Sequence, residues 1–278
     1  MRYVRVESLS DAIKAMAEPG SLPIAGGTDL LVKMRGGLLA PKELIDISNV
    51  SELRGIRLSD THIEIGAAVT EEEIRRHPAI VGDAPLLSDV LGELGSVQIR
   101  NRGTLGGNLV NASPAADSAI PLLLYGAEVR VANQAGSRSI PLSELFVGPG
   151  KTSLQPGELV VSIRLPRTGE IWFPFFHKVG KRRALTISIA SVGSLLRVES
   201  GRIAEARFAA GSVAPTPLRL THVEHLLTGS ELNDRTISDA VAAAAANVSP
   251  ISDVRATGEY RRQVVAELVE RALRSASG

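Results

Sequence analysis

The chain has no cysteine. That excludes a disulfide framework, a redox dithiol and a cysteine-ligated iron–sulfur cluster within its 278 residues. Aromatic residues make up only 3%, and Trp172, Phe173, Phe175 and Phe176 crowd into one short run. Little aromatic surface is left for stacking on bases. Neither sign of charge dominates: 31 Lys and Arg stand against 30 Asp and Glu. Such a balance gives no electrostatic drive toward nucleic acid or an anionic membrane. No apolar run approaches the ~20 residues of a membrane span. The amino terminus, Met1-Arg2-Tyr3-Val4-Arg5-Val6-Glu7, lacks the apolar core of a signal peptide. Repeats of solenoid period are not visible. These absences describe a soluble, cytoplasmic globular protein of two or three subdomains.

What is present is glycine in pairs. In Leu22-Pro23-Ile24-Ala25-Gly26-Gly27-Thr28-Asp29-Leu30-Leu31 a short apolar segment meets two glycines, a hydroxyl, a carboxylate and then an apolar run at helical spacing. This reads as a strand, a tight turn and a helix start, where missing Cβ atoms let main-chain N–H groups approach an anion. Ile99-Arg100-Asn101-Arg102-Gly103-Thr104-Leu105-Gly106-Gly107-Asn108 repeats the logic. Two such turns can clamp a diphosphate from both sides. A single Gly-Gly is ordinarily only a turn; neither stretch matches Gly-x-Gly-x-x-Gly, so a Rossmann site has no support.

Around these turns the periodicity predicts a helix over residues 8–18 capped by Ser8 or Ser10, and a buried strand at residues 44–47. Together with the first turn they form a small α/β unit over residues 1–55. Thr70 with Glu73 forms a capping box, and a helix is expected over residues 84–94. Ser113-Pro114 reads as the cap and first residue of a helix that carries Asp117 in its first turns. Residues 128–132 and 158–165 alternate as strands, with Leu159, Val161, Ile163 and Leu165 on one face. Gly148-Pro149-Gly150-Lys151-Thr152 resembles the end of a P-loop, but Leu145 stands where the required glycine belongs; it reads as a surface connector. Residues 186–198 and 202–210, joined by Glu199-Ser200-Gly201, read as an antiparallel hairpin. Helices follow over residues 217–228 and 235–247, and in a last one Tyr260, Val264, Leu268 and Ala272 fall at i+4 steps. The boundary between the halves falls near residues 166–170.

Other chemistry is thin. His62, His77, His177, His222 and His225 are scattered; His222-Val223-Glu224-His225 lacks zincin spacing and reads as a solvated helix face. No Ser-His-Asp set stands out. Asp29 either caps its own helix or reaches a ligand. Asp117 is either a dipole-favoured carboxylate or a partner for sugar-like hydroxyls. The stretch from Phe175 through Lys178 to Ala190 is either a solvated basic loop ahead of a strand or a place where a cation such as Lys178 tunes a redox ring.

At these residues the chain resembles the FAD-binding medium subunits of the molybdenum hydroxylases, which include the carbon monoxide dehydrogenase medium subunit and the flavin subunits of bacterial xanthine and nicotinate dehydrogenases. The resemblance covers essentially the whole chain. It is carried by Pro23 to Leu30, by Ile99 to Asn108 with Ser113-Pro114-Ala115-Ala116-Asp117, by Lys181-Arg182-Arg183-Ala184, and by Asp253-Val254-Arg255 with Tyr260-Arg261-Arg262. It implies an α+β fold: two α/β FAD-binding subdomains of the vanillyl-alcohol-oxidase (PCMH) type, residues 1–55 and 56–167, and a C-terminal domain, residues 168–278, of three-stranded antiparallel sheet and helices. It also implies that Pro23, Ile24, Ala25, Gly26, Gly27, Thr28, Asp29 and Leu30, with Thr104, Gly106, Gly107 and Asn108, hold the FAD diphosphate. Asp117 would bond the ribityl or neighbouring hydroxyls, and Val160 and Lys178 would lie near the isoalloxazine. The implied partners are a molybdopterin-containing large subunit, a small subunit with two [2Fe-2S] clusters, and NAD, a quinone or oxygen as acceptor, in a dimer of heterotrimers. The lack of cysteine fits clusters lying in another chain. Two rivals remain: a stand-alone FAD-dependent reductase of the same fold, and a non-redox scaffold that keeps the turns without flavin.

Overall fold

The computed structural model describes residues 1–167, 169–182 and 185–276, so Arg183 and Ala184 of the basic segment lie outside the described residues. The first layer is β1 (Arg2–Arg5), α1 (Leu9–Met16), β2 (Ser21–Ile24), α2 (Leu30–Arg35) and β3 (Glu43–Asp46). The strands pair in parallel in the order β1-β3-β2, with β3 buried throughout. A parallel pair needs a crossover, and here α1 and α2 supply them. Ser8 caps α1 by accepting the Asp11 N–H.

The middle layer runs through β4 (Ile56–Leu58), β5 (His62–Gly66), α3 (Glu71–Arg76), α4 (Pro78–Asp83), α5 (Pro85–Glu93), α6 (Val97–Arg100), α7 (Leu105–Asn111), α8 (Ala119–Leu124), β6 (Glu128–Asn133), β7 (Gly136–Pro141), α9 (Leu142–Leu145), β8 (Phe146–Gly148), β9 (Lys151–Thr152) and β10 (Leu159–Pro166). An antiparallel five-stranded sheet in the order β4-β5-β10-β6-β7 backs it. The Thr70–Glu73 capping box is formed in full. The P-loop look-alike is the β8–β9 ribbon.

In this layer two expectations need correction. A register shift between Val160 and Ser162 breaks the alternation of β10. Val160, Ile163 and Leu165 therefore enter the central core, while Leu159 and Val161 pack on the first layer. No helix begins at Ser113. Ala112 is left-handed at φ 47°, the chain turns through residues 113–118, and α8 starts at Ala119, two residues beyond Asp117.

The last layer comprises β11 (Phe173–Val179), β12 (Ala190–Glu199), β13 (Arg202–Gly211), β14 (Leu218–Arg219), α10 (Thr221–Leu227), α11 (Asp234–Ala246) and α12 (Gly258–Ser275). The sheet is antiparallel in the order β11-β12-β13-β14; the two residues of β14 form an edge strand beyond the three expected and shorten the helix foreseen at residue 217. Strand β12 begins at Ala190, not at residue 186. Every residue of α8 is buried, because it lies between the central core and this sheet. Gly193 and Gly211 permit the approach: Cβ atoms there would lie 2.6 Å and 3.3 Å from the Ile120 side chain. Arg207 and Arg219 close the joint by donating to the carbonyls of Leu124 and Leu123 at the C-terminal end of α8. Among the described residues no helix is long and apolar enough to cross a membrane.

Candidate functional site

The first glycine turn leaves the carboxyl end of β2. Gly27 takes φ +71°, a conformation that suits glycine, and brings the chain round to α2. Among the described residues, none of the main-chain N–H groups of residues 25–30 has an acceptor within the chain. Asp29 is exposed and the other five residues are half-buried, so these six amides form a row of donors open to an outside acceptor. The Asp29 carboxylate makes no cap hydrogen bond among the described residues, so capping does not account for it.

The second turn is held differently. Thr104 caps α7, its hydroxyl accepting the Gly107 N–H at 3.2 Å. The Leu105 and Gly106 N–H groups donate to Val69 and Ala67, and the Asn108 N–H to the Thr104 carbonyl. Gly106 is required by this seat, since a Cβ would lie 2.7 Å from the Ala67 carbonyl oxygen. The second turn is thus stitched onto the connector after β5, whereas the first offers its amides.

The two turns touch. A Cβ on Gly26 would lie 1.9 Å from the Arg102 carbonyl oxygen and 3.1 Å from the Gly103 Cα. Lys33 of α2 also donates to the Asn111 side chain of α7, tying the helices that follow the turns. Val160 itself is buried in the central core at 3% exposure; the carbonyl of its neighbour Val161 accepts the Ala67 N–H.

From the second turn a chain of polar contacts crosses into the last layer. The Asn108 side-chain oxygen accepts from Ser118 at 2.9 Å, and its amide donates to Glu71 at 3.1 Å. Beside Ser118, the Asp117 carboxylate accepts from Lys178 Nζ at 2.9 Å and from the Ser188 hydroxyl at 2.6 Å. Lys178 also donates to the Glu93 carbonyl at 2.7 Å. The side chains of Asp117 and Lys178 are 7% and 8% exposed, so this is a buried ion pair, each partner of which makes one further hydrogen bond. Sequence reasoning had given the two residues separate tasks. The structure brings them together, and neither a solvated basic loop nor a helix-dipole role describes them.

Glu71, Ser118 and Ser188 were missed. Burial, together with the Asp29 charge, pushes the Glu71 carboxyl up to about 7; the Asn108 hydrogen bond and Arg100 oppose the shift. Next to it, Glu72 is held well below the usual carboxylate range by Arg75 and Arg100. Three consecutive glutamates at a helix start read as a solvated, dipole-favoured run, and only the tertiary fold separates their fates. A cavity of about 310 Å³ lies elsewhere, between β11 and α12, lined by Val179, Tyr260, Leu268 and Arg271. It brings no paired turns to a ligand, so main-chain amides remain the distinctive chemistry of the molecule.

Comparison with known proteins gives the family. Residues 1–168 match the family described as the FAD binding domain in molybdopterin dehydrogenase, and residues 175–276 match the CO dehydrogenase flavoprotein C-terminal domain. The xanthine dehydrogenase FAD-binding subunit of Escherichia coli O157:H7 is 32% identical, over 99% of this chain and 95% of its own. The glyceraldehyde dehydrogenase medium chain of Sulfolobus acidocaldarius is also 32% identical, over 98% and 96%. In the solved carbon monoxide dehydrogenase of Hydrogenophaga pseudoflava a chain superposes with TM-score 0.95 at 29% identity, covering 100% of this chain and 97% of that one. The chain belongs to the FAD-binding medium subunits of the molybdenum hydroxylases, FAD-dependent oxidoreductase subunits.

Proposed function

We propose that this chain is the electron-transfer flavoprotein of a heteromeric molybdenum hydroxylase, receiving electrons from [2Fe-2S] clusters of a small subunit and passing them to NAD, a quinone or oxygen. Substrate oxidation belongs to a molybdopterin-containing large subunit, and the assembly is a cytoplasmic dimer of heterotrimers. The observation that carries the reading is the contact between the two glycine turns, one of which has six successive main-chain N–H groups without an acceptor among the described residues. Donors in such a row match the oxygens of a dinucleotide diphosphate.

The residues present fit FAD. Subdomains 1–55 and 56–167 supply the two turns, and residues 168–278 form the C-terminal domain. The loop Pro23, Ile24, Ala25, Gly26, Gly27, Thr28, Asp29 and Leu30 would hold the diphosphate on one side, with the N–H groups of residues 25–30 as its donors. Thr104, Gly106, Gly107 and Asn108 shape the other side. An ionised carboxylate accepts about four hydrogen bonds. Asp117 uses two on Lys178 and Ser188, which leaves capacity for ligand hydroxyls. Val160 of β10 and Lys178, fixed by Asp117, would lie near the isoalloxazine, where the Lys178 cation would tune the ring. When bound, the flavin supplies two-electron storage that can be filled and emptied one electron at a time, and the chain supplies binding and redox tuning. The relatives are named for xanthine, glyceraldehyde and carbon monoxide at nearly equal identity. Substrate choice is therefore assigned to another subunit.

The test is reconstitution. The purified full chain mixed with FAD is expected to become yellow and bind one flavin per chain. A chain that shows no flavin absorption band after gel filtration overturns the reading. NADPH-dependent reduction of a small substrate by the isolated chain favours the stand-alone reductase instead.

A further inference from the structure

Glu71 opens α3 against the second turn, its N–H donating to the Gly103 carbonyl at 2.9 Å, and the residue is 2% exposed. Its neighbours on the helix are accounted for: Glu72 by Arg75, Arg76 and Arg100, and Glu73 by the capping box, with Arg54 nearby. Glu71 has no cation of its own among the described residues. Oε1 accepts from Asn108, while Oε2 is buried without a hydrogen-bond partner and lies against Gly103, where a Cβ would come within 3.0 Å of it. From the turn ahead of α2 it faces the Asp29 charge; Lys33 of α2 is engaged by Asn111. From α6 it faces Arg100, already committed to Glu72. Helix α7 brings only the Asn108 amide. Helices α4 and α5 also pack on α3, and carry Asp83, Asp89 and Glu93; Asp83 is paired with Arg167.

We infer that Glu71 is a positioning residue of the glycine-turn site, and that its carboxyl takes up a proton when an organic diphosphate such as that of FAD binds at the turns. The inference rests on the flavin reading above. A diphosphate adds negative charge beside the turn that already carries Asp29, and an ionised Glu71 behind the second turn would add another, poorly screened in the packed interior. The neutral acid removes that charge and keeps an oxygen for the Asn108 amide, so the turn holds its shape. Proton and ligand then favour each other reciprocally. With the carboxyl displaced to about 7 in the free chain, the linkage falls in an accessible pH range.

The experiment measures FAD affinity of the full chain by flavin fluorescence from pH 6 to 9, for wild type and Glu71→Gln. The wild-type Kd is expected to be flat near pH 6 and to weaken by up to about tenfold per pH unit above pH 7. Glu71→Gln is expected to hold the low-pH affinity across the range. Calorimetry of the wild type in buffers of different ionisation enthalpy reads the proton directly, whatever the variant does. Uptake approaching one proton per FAD is expected at pH 8 and almost none at pH 6. Tight binding with a flat wild-type profile, equal proton uptake at the two pH values, or a slope retained in Glu71→Gln overturns the role of Glu71 and leaves the flavin reading standing. No FAD binding at any pH overturns that reading, and this inference with it.

Discussion

Gly26→Ala isolates the contact on which the site depends. The new Cβ would sit 1.9 Å from the Arg102 carbonyl oxygen and 2.7 Å from its carbon. Both are backbone atoms, so no side-chain rotation relieves the clash. To regain ordinary contact at 3.4 Å the two turns must part by about 1.5 Å. Overpacking of this kind costs roughly 1–3 kcal/mol of stability. It also carries one row of amides out of the 2.7–3.2 Å range in which N–H···O bonds form. Each hydrogen bond to a charged oxygen is worth about 1.5–3 kcal/mol, so losing one raises the Kd for FAD roughly tenfold to somewhat over a hundredfold. The assay is a fluorescence titration with FAD, paired with a thermal melt. Gly82→Ala is the control: it lies in α4 with nothing within 4 Å of a Cβ and no left-handed φ. Alanine there should leave the Kd unchanged and stabilise the fold by up to about 1 kcal/mol. A Gly26→Ala protein that binds FAD as tightly as wild type would refute the argument that touching turns make the site.

Lys178→Met strands the buried Asp117 carboxylate and should cost about 3–5 kcal/mol, a fall in Tm of roughly 6 °C or more; Asp117→Leu added to it should recover part of the loss. A single variant that melts with wild type shows the pair to be dispensable. Glu71 gives a pH signature in stability without any ligand. Its folded carboxyl titrates near 7 against 4.5 in an unfolded chain, so the fold favours the protonated form. Stability is full below pH 4.5, declines as pH rises through 7, and the total loss is roughly 3 kcal/mol. Glu71→Gln should flatten that decline in chemical denaturation between pH 5 and 8; parallel curves would contradict it. Arg261 is 1% exposed and donates to the carbonyls of Ile189 and Ser212 and to Asp253. Arg261→Met should therefore destabilise the C-terminal layer by about 3 kcal/mol, read by hydrogen exchange in α12 and β12.

Features set by a residue's own backbone were legible in the sequence. The paired glycines mark both turns because only a missing Cβ permits Gly26 against Arg102 and Gly106 against Ala67. The hairpin at Ser200 and Gly201 was legible for a similar reason: both take positive φ, at 48° and 77°, as a tight two-residue turn demands. The Thr70–Glu73 box is a contact three residues long and was read correctly. The misreadings share one cause, namely long-range burial overriding a local pattern. Ser113-Pro114 has helix-start chemistry, but the Ser113 hydroxyl instead accepts the Ala115 N–H in a turn, while the apolar run from Ala119 is drawn between two layers. In β10 an unbroken alternation was expected, yet the strand serves two cores, and the irregularity at Val160–Ser162 is what lets it change allegiance.

The site divides along the same line. The part we propose as anion-binding is main chain, so residue type alone marks it. Its electrostatic part is made of side chains from segments far apart in sequence: Glu71 on α3, Asn108 on α7, Asp117 before α8 and Lys178 on β11. Resemblance named Asp117 and Lys178 one at a time, but the arrangement that matters is the pair, formed where the segment before the buried α8 meets β11. An Asp117 locked to Lys178 cannot move toward a ligand without uncovering a cation in a water-poor seam. The pair therefore acts as one rigid element, and any change that loosens the α8 joint, including Arg207 or Arg219 at its carboxyl end, should alter the flavin environment without touching a glycine. Arg219→Ala is the informative case. A shift in the absorption maximum of bound FAD with the Kd held within a few-fold supports a side-chain frame separate from the main-chain grip, whereas an unchanged spectrum with weakened binding would mean that the two parts are not separable.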